Sequence, residues 1–130
     1  MKFMKFKAIC ENHLYSKAYS KGKRAVTPHL AVYVLPDYKA EALRRAHPQK
    51  IRYNRIGLTV SKKLGGAVVR NRVKRILREG LRRVMAERTV KTGFLVVIAA
   101  REKAVPLSSD DIAKDLFFAL DKLGMLTPRT

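Results

Sequence analysis

The side chains best placed to do chemistry fall in one stretch: Lys62, Lys63, Arg70, Asn71, Arg72, Lys74, Arg75 and Arg78. An arginine guanidinium is a planar fork that bonds phosphate through two N–H groups and stacks on bases, whereas a lysine ammonium is a compact point charge. Asn71, uncharged among these cations, offers both a donor and an acceptor, suited to a ribose hydroxyl, a base edge or plain solvent. Asn71, Arg75, Arg78 and Arg82 follow at spacings of four, three and four, which puts them on one face of a helix. Val69, Val73, Ile76, Leu77, Leu81, Val84 and Met85 recur at the helical period and predict a buried stripe on the other side. Glu79 and Glu87 give little acidic relief, so the helix, running to about Arg88, is not a neutralised, salt-bridged one. Such a surface calls for a polyanionic partner.

The whole chain shares this bias. Its 130 residues suit one domain spanning 1–130, and 47% hydrophobic content supports a folded core despite a formal charge of +19. Residues 61–88 hold ten basic side chains against two acidic, while 89–130 hold six against five. The polyanion should therefore meet the first two-thirds, and the last third reads as structural support. No run is long enough to span a bilayer, and lysines interrupt the N-terminal Met1-Lys2-Phe3-Met4-Lys5-Phe6-Lys7 where a signal peptide needs an apolar core. Cys10 stands alone, which excludes an internal disulfide and suits a cytoplasmic location. His13, His29 and His47 have no companions at metal-ligand spacing, so no metal site is expected.

Catalytic residues are not found. The acids concentrate near the C-terminus at Asp110, Asp111, Asp115 and Asp121, and no nucleophile elbow is present. Gly65-Gly66 lacks the Lys-Ser/Thr ending of a phosphate loop and reads as the turn into the basic helix. By itself the protein reads as a binder.

The elements that must position these residues can be read in order. Residues 1–8 form a basic, extended N-terminus. A short helix follows from about Asn12 to Ser20, with Tyr15 and Tyr19 one turn apart. Those rings either pack on a sheet or stand ready to stack on a ligand. His29–Leu35 alternates as a strand, with Leu30, Val32 and Val34 on one face and Tyr33 on the other. Residues 37–54 form a long connection, with a helical turn or two at 40–46. Arg55–Val60 is a second strand, in which Gly57 leaves room for a ring or ligand to approach. Phe94–Ala100 is a continuous apolar strand, the most buried in the chain. Ser108 opens a last helix, with Asp111 completing a capping box, and Ile112, Leu116, Ala119, Leu120 and Leu123 as its buried stripe. Phe117 and Phe118 are assigned to core or flank, Gly124 ends the helix, and 124–130 is a short tail.

The run from Ser61 to Arg75, with Arg70-Asn71-Arg72 at its centre and Val73-Lys74-Arg75 behind, resembles the "RNR" signature of the protein subunit of bacterial ribonuclease P. The resemblance covers nearly the whole chain in length, charge and element order. It implies an RNA-dominated holoenzyme that removes the 5′ leader of precursor tRNA. The protein is then an accessory subunit without catalytic groups of its own, its partners being ribonuclease P RNA and the precursor tRNA 5′ leader, with no DNA and no membrane. No cofactor is implied for the protein itself, while Mg2+ is required by the holoenzyme RNA. Carried over by position, Lys62, Lys63, Arg70, Asn71, Arg72, Lys74, Arg75 and Arg78 are RNA-binding, and Tyr15, Tyr19 and Tyr33 line the leader cleft. Phenylalanine is common at the first-helix positions, and the 37–54 connection is longer than in compact members.

The expected fold is α/β, an α+β two-layer sandwich in the order helix–strands–basic helix–strand–helix. A central sheet carries the basic and C-terminal helices on one face and borders the first helix on the other. The resemblance implies a left-handed crossover, against the usual right-handed preference. The rival readings are a ribosomal or other structural RNA-binding protein, and a DNA-binding regulator with the basic helix in a major groove.

Overall fold

Strands alternate their side chains between two faces, and here both faces of the central strands are apolar, so the sheet must be covered on both sides. The structure, a computed structural model, describes residues 7–8, 12–36, 54–88, 90–91 and 93–126. Its elements are β1 (Lys7–Ala8), α1 (Asn12–Lys21), β2 (Lys23–Val26), β3 (Leu30–Pro36), β4 (Arg55–Thr59), α2 (Ala67–Glu87), β5 (Phe94–Ala100) and α3 (Ser109–Lys122). One-turn 3-10 helices at Lys62–Leu64 and Glu102–Ala104 follow β4 and β5. The sheet order is β1-β4-β5-β3-β2, with β4 parallel to β1 and β5, and β3 antiparallel to β5 and β2. Helix α2 is the crossover between the parallel neighbours β4 and β5.

One face carries the main core. Leu30, Val32 and Val34 of β3, Ile56 of β4, and Val96 and Ile98 of β5 pack under the apolar stripes of α2 and α3. The opposite face carries a smaller cluster, in which Ala18 of α1 covers Leu35, Leu95 and Val97, with Leu14, Tyr15 and Tyr33 half-buried around them. The α+β layering expected from the sequence is thus present, and β5 is sandwiched between the two clusters. Among the described residues no helix is long and apolar enough to cross a membrane.

The helices pack at close range. All seven apolar residues of the predicted α2 stripe lie in or against the core, joined there by Gly80. A Cβ on Gly80 would sit 2.7 Å from Cγ2 of Ile112 and 3.2 Å from the backbone N of Ala113, so glycine is what lets α3 approach α2. Ser108 caps α3 as expected: its Oγ accepts from Asp111 N at 3.4 Å, and Asp111 Oδ2 accepts from Ser108 N at 3.1 Å.

Several features depart from the sequence-based expectations. Strand β2 was not anticipated, because within Lys23-Arg24-Ala25-Val26 only Ala25 turns into the core. Phe118, assigned to core or flank, is 59% exposed, while Phe117 packs against the core. Met125 and Leu126, placed in the tail, are buried: Lys91 N donates to Met125 O at 2.7 Å, and Val90 bridges Leu126. Asn54, at the end of the long connection, is buried, donating to Lys91 O and accepting from Phe94 N, which ties the start of β4 to the start of β5. The rest of that connection, with its expected helical turn, lies outside the described residues, as do 1–6 and 127–130.

Gly80→Ala should destabilise the protein even though alanine is the better helix former by roughly 1 kcal/mol, because overpacking against α3 costs about 1–3 kcal/mol. Urea unfolding should show a lower midpoint with an unchanged slope, and an unchanged or raised midpoint would refute the close-packing account.

The Asp111 carboxyl is held below its ordinary value of 3.8, first by the backbone hydrogen bond from Ser108, then by the Ser108 hydroxyl. A lowered folded-state pKa stabilises above the ordinary value, and that contribution fades as pH falls through the folded one. Wild type should therefore melt above Asp111→Asn at pH 7, with the gap closing below about pH 4. A gap that persists undiminished at acid pH would contradict the cap assignment.

Candidate nucleic-acid interface

Two surfaces concentrate the residues singled out from the sequence. The first is the α1 face of the sheet. Gly57 sits under the ring of Tyr15: a Cβ there would lie 2.5 Å from Cε1 and 2.6 Å from Cζ and the hydroxyl oxygen. The close approach that Gly57 was expected to permit is therefore made by the protein's own tyrosine, which seats α1 on β4. One turn on, the Tyr19 hydroxyl lies 3.1 Å from Thr59 Oγ1, and its ring meets Tyr33 edge-to-face, with centroids 4.8 Å apart and planes at 89°. Such a T-shaped pair is a favoured aromatic geometry. Tyr15 and Tyr33 are half-buried while Tyr19 is 43% exposed, so Tyr19 offers the most accessible ring.

Strand register fills in the neighbourhood. Gly57, Val97, Tyr33 and Arg24 lie in one row across β4, β5, β3 and β2, and Thr59, Ala99, Ala31 and Val26 form the next. Residues paired across strands share a face. The aromatic edge is thus bordered by a row of short side chains and by the exposed cation Arg24. The sequence reading missed Arg24 and Thr59; Thr59 lies two residues from Gly57 and so shares its face.

The second surface is α2. Asn71, Arg75, Arg78 and Arg82 are all exposed, as their spacing predicted. Successive residues turn by about 100° around a helix, so Arg70 and Arg72 diverge onto opposite flanks of the Asn71 face. Arg72 Nη1 donates to Val105 O at 2.6 Å, and on the same flank Arg83 pairs with Asp110. Arg72 therefore also fastens α2 to the turn before α3, a role its motif position did not reveal. Arg70 is half-buried, its Nε without a hydrogen-bond partner among the described residues, and Lys74 is half-buried as well.

Between the two surfaces the chain passes from Thr59 to α2 in a few residues. Lys62 and Lys63 are exposed on the 3-10 turn, Gly65 has a φ of +145° that favours glycine, and Gly66 at the N-cap makes no side-chain cap. The positive end of the helix dipole adds to the lysine charge there. A shallow pocket of about 560 Å3 lies beside this link, at the carboxyl ends of β4 and β5, lined by Pro28, Ser61, Leu64, Ala100, Arg101, Glu102 and Lys103. Arg101 also donates to Thr27 O at 3.0 Å. Neither Arg101 nor Lys103 had been singled out, since each looks like an ordinary loop cation until the strand ends are brought together.

The arrangement has known counterparts. The sequence profile of the family described as Ribonuclease P matches residues 3–124. The chain is 31% identical over 116 residues to the ribonuclease P protein component of Clostridioides difficile, covering 89% of this chain and 90% of that one. It is 35% identical over 117 residues to that of Bacillus cereus strain 03BB102, covering 90% of each. Among solved structures, the Staphylococcus aureus RNase P protein superposes with a TM-score of 0.72 at 25% identity, covering 95% of this chain and 100% of that one. The Thermotoga maritima RNase P protein shares the fold with a TM-score of 0.61 at 22% identity, covering 80% and 86%.

Gly57→Ala should displace the Tyr15 ring and with it the seat of α1. The chain has no tryptophan, so tyrosine fluorescence reports the change directly. We expect a loss of roughly 1–3 kcal/mol in unfolding free energy together with altered tyrosine emission. Wild-type stability and emission would show that the Tyr15–Gly57 contact is dispensable.

Proposed function

The chain belongs to the ribonuclease P protein family, and from that premise we propose that α2 docks the catalytic RNA while the tyrosine cleft holds the single-stranded 5′ leader of precursor tRNA. The observation that carries this reading is the coexistence of two differently built surfaces on one small domain, a basic helix face and an aromatic edge bordered by Arg24. Helix α2 is a rigid rod with Asn71, Arg75, Arg78 and Arg82 aligned on its solvent face. A-form RNA hides its major-groove base edges, so a rod of this kind recognises shape and phosphates rather than sequence. The cleft instead presents tyrosine rings over short side chains, which suits bases of arbitrary sequence, each stacked base contributing about 1–3 kcal/mol.

In this reading Lys62, Lys63, Arg70, Lys74 and Arg75 supply phosphate contacts, and Arg72 combines contact with bracing of α2. Tyr19 stacks on a leader base, Tyr33 holds Tyr19 at a right angle, and Tyr15 orients α1. Among the described residues neither surface brings together an acid–base pair for phosphodiester cleavage. Nor do three or more His, Cys, Asp or Glu side chains converge among the described residues. A surface rich in Arg and Lys repels Mg2+, so the metal chemistry is assigned to the RNA, with cleavage taking place in the cytoplasm. By lowering repulsion between RNA subunit and substrate, the protein reduces the Mg2+ that the RNA needs.

The test is precursor tRNA cleavage at low Mg2+ by a bacterial ribonuclease P RNA, with and without the protein. Wild type should stimulate cleavage, and Asn71→Ala/Arg75→Ala should lose most of that stimulation; this pair spares Arg72 and its bond to Val105. Tyr19→Ala should weaken precursor binding roughly 5- to 100-fold while leaving mature tRNA binding unchanged. Absence of stimulation with a matched RNA would sink the assignment. Cleavage by the protein alone would overturn the division of labour.

A further inference from the structure

We propose that Val68 is an apolar contact point within the RNA-docking face of α2, seated against the ribose and base-edge surface of the RNA. The proposal deepens the reading of α2 as the RNA-docking helix and rests on it. Val68 is 84% exposed, well above the other exposed large apolar side chains among the described residues, Phe118 at 59% and Tyr19 and Val26 at 43%. It lies three residues before Asn71 and seven before Arg75, and Arg82 follows seven further on. Seven residues are nearly two helical turns, so Val68, Arg75 and Arg82 form one line down the solvent face. That line is opposite the buried Val73, Leu77 and Val84.

Local preference does not favour a valine here. A β-branched side chain is a poor choice for an exposed helix position, and its apolar surface is left in water. Where local preference and position conflict in this way, a functional contact is the usual reason. The surroundings leave room for one. A Cβ built on Gly66 meets nothing within 4 Å, Ala67 is exposed, and no side chain caps the helix. The first turn is therefore low and open, so a broad partner can settle onto Val68 without displacing protein atoms.

The partner's chemistry follows from the neighbours. Residues 61–88 carry ten basic side chains against two acidic, which selects a polyanion. A polyanion that also presents apolar surface at the same level is an RNA helix, whose minor groove is wide and shallow and lined by sugars and base edges. Valine is too short to wedge between bases, but its two methyl groups fit against a sugar. The arginines would then supply affinity that salt weakens, and Val68 a component that salt does not.

That difference makes the test specific. Binding of Val68→Ala, Arg75→Ala and wild type to a bacterial ribonuclease P RNA is measured across a salt series, with thermal melting of each protein alongside. Val68→Ala should melt no lower than wild type, because the valine side chain is left largely in water in the free protein. It should bind roughly 5- to 15-fold more weakly, with the slope of log Kd against log salt unchanged. Arg75→Ala should weaken binding and reduce that slope by about one. Wild-type affinity for Val68→Ala beside a weakened Arg75→Ala would overturn the Val68 contact and leave the docking helix standing. Wild-type affinity for both would overturn the docking reading as well. A Val68→Ala loss accompanied by a changed salt slope would also refute the apolar contact.

Discussion

The structure depends on β5 being buried on both faces. Leu95 and Val97 point into the α1 cluster and Val96 and Ile98 into the α2–α3 core, all of them buried. A strand of that kind holds its hydrogen bonds and its side chains away from water at once, so its neighbours β3 and β4 have little freedom of register. That register decides which residues share the cleft. Tyr33 stands in the row of Gly57 because both pair with Val97, and Thr59 reaches Tyr19 from the following row.

The same constraint explains how so charged a helix is kept in place. Residues of α2 repel one another along the solvent face, and only Glu79 and Glu87 moderate this within the helix. The opposing force is the apolar stripe from Val69 to Met85, with Leu77 and Val84 wholly buried. Burying such side chains is worth about 1.5–3 kcal/mol each, whereas exposed charge repulsion in water is screened to a fraction of that per pair. Arg72 and Arg83 relieve the strain further by turning toward Val105 O and Asp110 on the α3 side. Division of the arginines between outward contact and inward bracing follows from 100° per residue, and it places Asn71 outermost in its triplet.

What could be read from the sequence was whatever repeats at a local period. The α2 stripe, the alternation of β3, the apolar run of β5 and the Ser108–Asp111 cap need only neighbours within a few residues, and each is present. Gly57 was legible as a place of close approach, though not that Tyr15 would fill it. Contacts between distant segments were not legible. The Arg72–Val105 bond spans 33 residues, and the cluster joining Thr27 and His29 to Asp115 spans more than 80. Asp115 looked like one of several surface acids, yet it accepts from Thr27 at 3.0 Å and lies 2.6 Å from His29 Nδ1. Met125 and Leu126 were misread because the stop signal of Gly124 is local, while the bridge from Val90 that holds the following residues is not. Strand β2 lacked a pattern because an edge strand with one inward alanine gives alternation nothing to register.

The short link from Thr59 to Gly66 is what makes the two surfaces one device. Thr59 ends β4 inside the cleft and α2 begins eight residues later, with the Lys62–Leu64 turn and Gly65 between. Leu64 and Val69 pack on the main core from either side of that turn, so the link is anchored at both ends rather than free to swing. Cleft and helix face therefore hold a set separation. A ligand that engages both must span that separation, which follows from β4 and α2 being packed on opposite sides of the same turn.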